Sequence, residues 1–336
     1  MVALLRLNED EKMKKNVLII GFAVIILGII VVMVGLTSQQ QVTEGISVSD
    51  LPSIPETTGA SGPYVLATTY PVVNDTYPVY KTIPPDFTDE RVNRLRNLFG
   101  FSPNAQAGTS NEDVQVADGS KNPGSHLTIY KNSGAFMYNI PEKYFPYSTD
   151  VQPDLPSDEE ARAIATKYLL ERDLLPDDVQ FKEVSIGSKY GHKTQDSYVL
   201  YNLTKRVRFV KEIQGIPVCN AGIAVSIGDK GEVVMATSSL REFYPEPVRF
   251  VKVLTPEQAY QRLLSNDLMI MPLGGGYDEI LITNVTLGYW MEIQTYPQKY
   301  IMPVYAFSCV TGRGDETEQV MRYVSAVDPS EVQDLS

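Results

Sequence analysis

Few residues in this 336-residue chain have the type and spacing that catalysis requires. A zinc peptidase places two histidines four residues apart on a helix with a glutamate between them, whereas His126 and His192 stand far apart. Cys219 and Cys309 lie in strand-like apolar segments, where a core role is more typical than a nucleophilic one. There is no Gly-x-Ser-x-Gly elbow either. The sequence therefore predicts no catalytic, metal-binding or cofactor-binding residues, and a protein that is not an enzyme.

Two kinds of covalent modification stay open. Cys219 and Cys309 could form a disulfide in an oxidising compartment if their backbones come close, or they could remain two buried free thiols. Three Asn-x-Ser/Thr sequons are candidate glycosylation sites in an exported chain, at Asn74, Asn202 and Asn284.

Residues 17–36 form an uncharged apolar run that is long enough to cross a bilayer as a helix. Four basic residues precede this run and none follows it before Lys81, so the positive-inside rule places the N-terminus in the cytoplasm. We expect a single-pass protein of the cell membrane with most of the chain extracytoplasmic. Gly21, Gly28 and Gly35 recur every seven residues and could form a helix-packing face, or could reflect the ordinary frequency of glycine in membrane helices.

The chain carries 29 basic and 41 acidic residues, a formal net charge of −12. A surface of this charge repels phosphate backbones, so we expect no nucleic-acid partner.

Composition and periodicity divide the chain into seven parts. The predicted parts are a cytoplasmic tail (1–16), a transmembrane helix (17–36), a flexible stalk (37–63), three α+β modules (64–150, 151–250 and 251–330) and a tail (331–336).

Each module is predicted to begin with an amphipathic helix and to continue with short strands. Thr88 can cap the first helix, Ser157 and Glu160 form a capping box for the second, and Thr255 and Gln258 form one for the third. Single helices separated by runs of strands favour an α+β fold, in which each helix covers one face of an antiparallel sheet.

The second and third modules carry a family resemblance. Gly215-Ile216-Pro217-Val218 in a hairpin and Gly231-Glu232-Val233-Val234 after a tight turn resemble the propeptide module of thermolysin-type peptidases and the related PepSY domains. A membrane helix followed by tandem modules of this type is also similar to the YycH and YycI regulators of a sensor kinase. The resemblance implies binding of a partner and supplies no catalytic residues.

The predicted function is therefore that of a non-catalytic, membrane-anchored regulatory or scaffolding protein. We expect it to act through contacts with a membrane or cell-surface protein. The alternative is a propeptide-like inhibitor or chaperone that acts on a peptidase in trans.

Overall fold

The computed structural model describes residues 45–52, 63–146, 152–193, 198–265, 279–313 and 316–333. They belong to one unit, Gly45–Ser336. The predicted membrane helix at 17–36, with Gly21, Gly28 and Gly35, lies outside the described residues.

The membrane prediction is not supported by the structure. Within the described ranges no helix is long and apolar enough to span a bilayer. The longest helix there has 13 residues, or roughly 20 Å, against a hydrocarbon layer of roughly 30 Å. The predicted assignments as a single-pass membrane protein with a cytoplasmic N-terminus are accordingly withdrawn.

The helix starts follow the predicted caps. The helices described are α1 (Asp89–Leu98), α2 (Pro141–Tyr144), α3 (Asp158–Leu170) and α4 (Pro256–Leu264). The Thr88 side chain accepts a hydrogen bond from the Arg91 amide at the start of α1. The capping boxes at Ser157 and Thr255 are both formed, so these three predictions are confirmed.

Strands make up most of the regular secondary structure of the described residues. The described strands are β1 (Ile46–Ser47), β2 (Tyr64–Leu66), β3 (Thr76–Lys81), β4 (Gln106–Thr109), β5 (Asp113–Asp118), β6 (Ser125–Tyr130), β7 (Phe136–Asn139), β8 (Val179–Ile186), β9 (Lys189–Lys193), β10 (Tyr198–Asn202), β11 (Lys205–Ile213), β12 (Ile216–Ile227), β13 (Val233–Ser238), β14 (Arg249–Lys252), β15 (Glu279–Trp290), β16 (Tyr300–Arg313), β17 (Glu316–Ser325) and β18 (Val332–Gln333).

Fourteen of these strands join into one mixed sheet. Its main path runs β14-β3-β16-β15-β12-β13-β7-β6-β5-β4, with β11 and β8 continuing from β12, β17 on β16 and β2 on β15. The predicted α+β class of tandem helix-on-sheet modules is therefore wrong, because the described chain is mostly β and its strands form a shared sheet.

The reason lies in pairings between distant segments. β13 pairs antiparallel with β7, with Ala236 opposite Tyr138, and β12 pairs parallel with β15, with Val218 opposite Tyr289. Alternation of polar and apolar residues predicts that a segment is a strand, but it does not predict the strand that pairs with it.

Each of three helices covers a hydrophobic cluster of its own. Leu95 of α1 and Phe99, which directly follows α1, pack on β5 to β7. Ala161, Ala165 and Leu169 of α3 pack on β11 and β12, and Ala259 and Leu263 of α4 pack on β15 to β17. The clusters meet at four side chains. Tyr168 and Leu174 contact those of α1 and α3, Leu240 contacts that of α3 and the cluster around Tyr289, and Ile216 contacts that of α4 and the cluster around Tyr289. The functional site described next lies at this junction.

Part of the predicted stalk is packed. β1 pairs parallel with β18, and Ile46 is completely buried against Val79 and Val251. The unit therefore includes residues that composition alone assigned to a flexible segment.

Candidate binding cleft

A cleft of about 620 Å³ opens where the clusters of α1 and α3 meet. We call it the junction cleft. Its walls are α1, the β6–β7 turn, the loop after α3, part of β11 and the two extended segments 83–85 and 238–245. The residues that line it are Ile83, Pro85, Arg91, Arg94, Leu95, Leu98, Ser133, Gly134, Phe136, Asp173, Leu174, Pro176, Asp178, Lys211, Ser238, Leu240, Arg241, Glu242, Phe243 and Pro245.

Apolar side chains contribute about half of this lining. Leu95 and Phe136 belong to the buried cluster under α1, while Leu98 and Leu174 are partly buried beside it. Because core side chains here border open space, a ligand could bury apolar surface without any rearrangement of the cores.

Four cationic residues line the cleft, and three of them lie close to an acid of the lining. Arg94 Nη2 lies 3.2 Å from Asp173 Oδ2, Lys211 pairs with Asp178, and Arg91 Nη1 lies 3.9 Å from Glu242 Oε1. The acids are the more exposed partners, since the side chains of Asp173 and Glu242 are 92% and 73% exposed. The rim thus carries pairs of opposite charges at three positions, and the pairs formed by Arg94 and Arg91 are accessible to solvent.

Lys211 is the least exposed of these three paired cations. Its side chain is 10% exposed, and its ammonium also lies 5.1 Å from the centroid of the Phe243 ring. The ring face and the Asp178 carboxylate both attract the ammonium group, so Lys211 places a positive charge inside the cleft.

Arg91 reaches the β6–β7 turn as well as the rim. Its Nη2 donates to the carbonyl oxygen of Gly134 at 3.1 Å. Gly134 has a φ of +70°, and a Cβ there would lie 2.6 Å from Arg91 Nη2 and 3.3 Å from Pro85 Cβ. Glycine therefore suits this turn through its left-handed backbone, and a larger residue would also have to displace the Arg91 guanidinium.

Arg241 is a buried residue of the cleft wall that bonds to two neighbouring loops. Its guanidinium donates to the carbonyl oxygens of Asn132, Ile293 and Tyr296 at 2.7, 2.8 and 2.6 Å. The residue is 5% exposed, and burial lowers the pKa of Arg241 to about 10, which still leaves it charged at neutral pH. One buried cation thus joins the β6–β7 turn to the loop after β15.

The two extended segments of the wall are hydrogen-bonded to each other. The Ile83 amide donates to the Glu242 carbonyl at 2.9 Å, and the Tyr244 amide donates to the Lys81 carbonyl at 3.0 Å. The wall that presents Glu242 and Phe243 to the cleft is therefore a short ladder, which fixes their positions.

The lining of the cleft includes no histidine, cysteine or tyrosine, and each of its three carboxylates faces a cation. Among the residues that the structure describes, no group of three or more potential ligands could hold a metal ion.

The two cysteines lie outside the cleft as free thiols. Burial raises the pKa of Cys219 to about 12 and that of Cys309 to about 11, so both are protonated at neutral pH. Cys219 is in register with Trp290, which pairs with Met302, and Cys309 follows seven residues along β16. At about 3.3 Å per residue, the Cα atoms of Met302 and Cys309 are roughly 23 Å apart along β16. Cys219 is therefore much farther from Cys309 than the roughly 7 Å between Cα atoms that a disulfide permits.

The predicted glycosylation sites also lie outside the cleft. Asn74 and Asn284 are exposed. Asn202 is partly buried, and its backbone amide and carbonyl bond to the Gln152 side chain. The structure therefore presents two of the three sequons at the surface.

Sequence reasoning missed the cleft because its charges pair over long separations. One local signal was present: Arg91, Arg94 and Leu98 follow each other at i, i+3 and i+7 on α1, on a stripe that adjoins the core stripe of Leu95. Two arginines beside a core stripe indicate a helix face that is neither fully core nor simply solvated.

Comparison with known proteins assigns no family. No family model matches the chain, and no curated protein matches it. Among solved structures it is similar to an uncharacterized protein from Eubacterium rectale, with 12% sequence identity and a TM-score of 0.44, over 76% of this chain and 84% of that chain.

Proposed function

We propose that this is a non-catalytic binding protein of a regulatory or scaffolding kind, and that the junction cleft holds an extended segment of a partner protein. The observation that carries the proposal is the combination of an apolar lining with three opposed charge pairs in one cleft of about 620 Å³.

A peptide segment fits this lining for two reasons. Its apolar side chains could pack on Leu98, Leu174 and Phe243, while its own charged groups replace one partner of an exposed rim pair. Exchanging one ion pair for another costs little when the pair is solvated, so the Arg94–Asp173 and Arg91–Glu242 pairs can admit a ligand without leaving a bare buried charge.

The experiment is a selection of peptides from a random phage-displayed library on the full chain, followed by fluorescence polarisation with the selected peptides. Arg94→Glu should weaken their binding about tenfold, because it reverses one rim charge and places it beside Asp173. Lys167→Glu is the matched control: it makes the same change of charge on α3, where Lys167 is exposed and lies outside the lining.

The selection can fail in two informative ways. Peptides that bind equally well to wild type and to Arg94→Glu would place the binding surface elsewhere. A library that yields no binder would remove peptide recognition from the proposal.

A further inference from the structure

Among the described strands, β17 has one neighbour, although it is ten residues long. It pairs with β16 from Glu316 opposite Arg313 to Ser325 opposite Val304 without a register shift. Natural proteins usually protect an exposed edge with a bulge, a proline, a short strand or charged side chains, and of these β17 contains only charged side chains. Its open edge could therefore accept another strand.

The pairing with β16 shows which backbone groups face this edge. The Ala326 amide donates to the Pro303 carbonyl at 3.1 Å, so the even-numbered residues of β17 direct their amides and carbonyls toward β16. The odd-numbered residues Thr317, Gln319, Met321 and Tyr323 direct theirs outward. The side chains of Thr317, Gln319 and Met321 are exposed, which leaves this edge accessible.

Charge along β17 is self-complementary about Val320. In an antiparallel pair of two β17 strands related by a two-fold axis at Val320, residue 319 faces residue 321 and residue 317 faces residue 323 of the second copy. These outward residues exchange backbone hydrogen bonds, and Glu318 of each copy faces Arg322 of the other in a closely spaced pair.

Arg322 lacks the partner that this arrangement supplies. It is 2% exposed, its Nε donates to the Tyr64 hydroxyl at 3.3 Å and its Nη1 to the Met321 carbonyl at 3.2 Å, while Nη2 has no hydrogen-bond partner among the described residues. Met321 is one of the outward residues, so the guanidinium lies beside the open edge. Glu318 is exposed and forms no ion pair with any described residue. A buried cation without a carboxylate is costly, and its pairing with Glu318 would stabilise the dimer.

We propose that two copies of this chain associate through their β17 strands, in the antiparallel register centred on Val320, with reciprocal Glu318–Arg322 ion pairs. The occupant of the edge is thus a second copy of the chain, and the interface is isologous.

The test is the oligomeric state of the full chain by sedimentation velocity. The wild type should sediment as a dimer of the 37.4 kDa chain. Glu318→Arg should raise the dimer dissociation constant at least about tenfold, because it places two like-charged pairs across the axis. Combining Glu318→Arg with Arg322→Glu should restore the dimer, whereas Glu112→Arg, an equal charge change at an exposed residue before β5, should leave it intact.

A cysteine trap tests the register without altering the buried arginine. Chains carrying Gln319→Cys and Met321→Cys should form an intermolecular disulfide when mixed, and each variant alone should form far less. A monomeric wild type, a dimer that Glu318→Arg leaves unchanged, or a trap that does not depend on mixing would each overturn the proposal.

Discussion

Replacing Arg241 tests whether one buried cation holds the walls of the junction cleft. Its three shortest hydrogen bonds reach carbonyl oxygens of two separate loops, at 2.6 to 2.8 Å. Arg241→Met keeps most of the side-chain volume but leaves those carbonyls without this donor. At about 1 to 1.5 kcal/mol for each bond, less the relief from no longer burying a charge, the free energy of unfolding should fall by about 3 kcal/mol.

The measurement is urea unfolding followed by the fluorescence of Trp290, the single tryptophan of the chain and fully buried in β15. The m-value should stay constant, so that the change in midpoint reports stability. Arg241→Lys should recover only part of the loss, because an ammonium group cannot reach three carbonyls that a planar guanidinium spans.

The control is Lys167→Met, which removes an exposed cation that lies 3.8 Å from Glu171. It should change the free energy of unfolding by less than about 0.5 kcal/mol. If Arg241→Met is as stable as this control, the guanidinium does not hold the two loops together, and the account of a preformed cleft is wrong.

Two further substitutions test single features of the fold. Gly134→Ala should lower the free energy of unfolding by about 1 to 2 kcal/mol in urea titrations, because it strains a positive φ and displaces the Arg91 guanidinium; an unchanged midpoint would contradict the strain at this turn. Asp118→Asn should be less stable than wild type at pH 7, because hydrogen bonds from Ser120 and Ser102 lower the pKa of this carboxyl from 3.8 to about 2. A carboxyl group whose pKa is lower in the folded than in the unfolded state stabilises the fold above the unfolded-state pKa, and this stability is lost as the pH falls through the folded-state pKa. The difference in melting temperature between wild type and Asp118→Asn should therefore shrink between pH 4 and pH 2. A difference that stays constant over this range would refute the reasoning.

The parts of the fold that the sequence predicts are those set by neighbouring residues. The capping boxes at Ser157 and Thr255 satisfy amides three residues away, and the Gln214-Gly215 turn joins β11 to β12 where both residues adopt a positive φ. Such features depend on local backbone geometry, which composition and spacing encode directly.

Sheet architecture depends on contacts that spacing does not encode. β12 changes partners along its length, pairing with β15 at Val218 and with β13 from Ile223 onward. Between these two stretches Asn220 has a φ of +60° and Gly222 a φ of +153°, and a Cβ on Gly222 would lie 2.2 Å from the Phe209 carbonyl oxygen. The irregular backbone at these two residues lets β12 pair with two parts of the sheet. In the sequence it appears only as a break in the alternation of polar and apolar residues, so the change of partner cannot be predicted.

The cleft depends on the same long-range pairings. Arg94 meets Asp173 because α1 and the loop after α3 are brought side by side when β7 pairs with β13, and Glu242 reaches Arg91 because segment 81–85 forms a ladder with the segment after β13. Neither contact follows from spacing, since each joins residues about 80 or more positions apart. Because the charges of the cleft are set by sheet pairing, any change that loosens the β7–β13 ladder should weaken binding in the cleft even when every lining residue is intact.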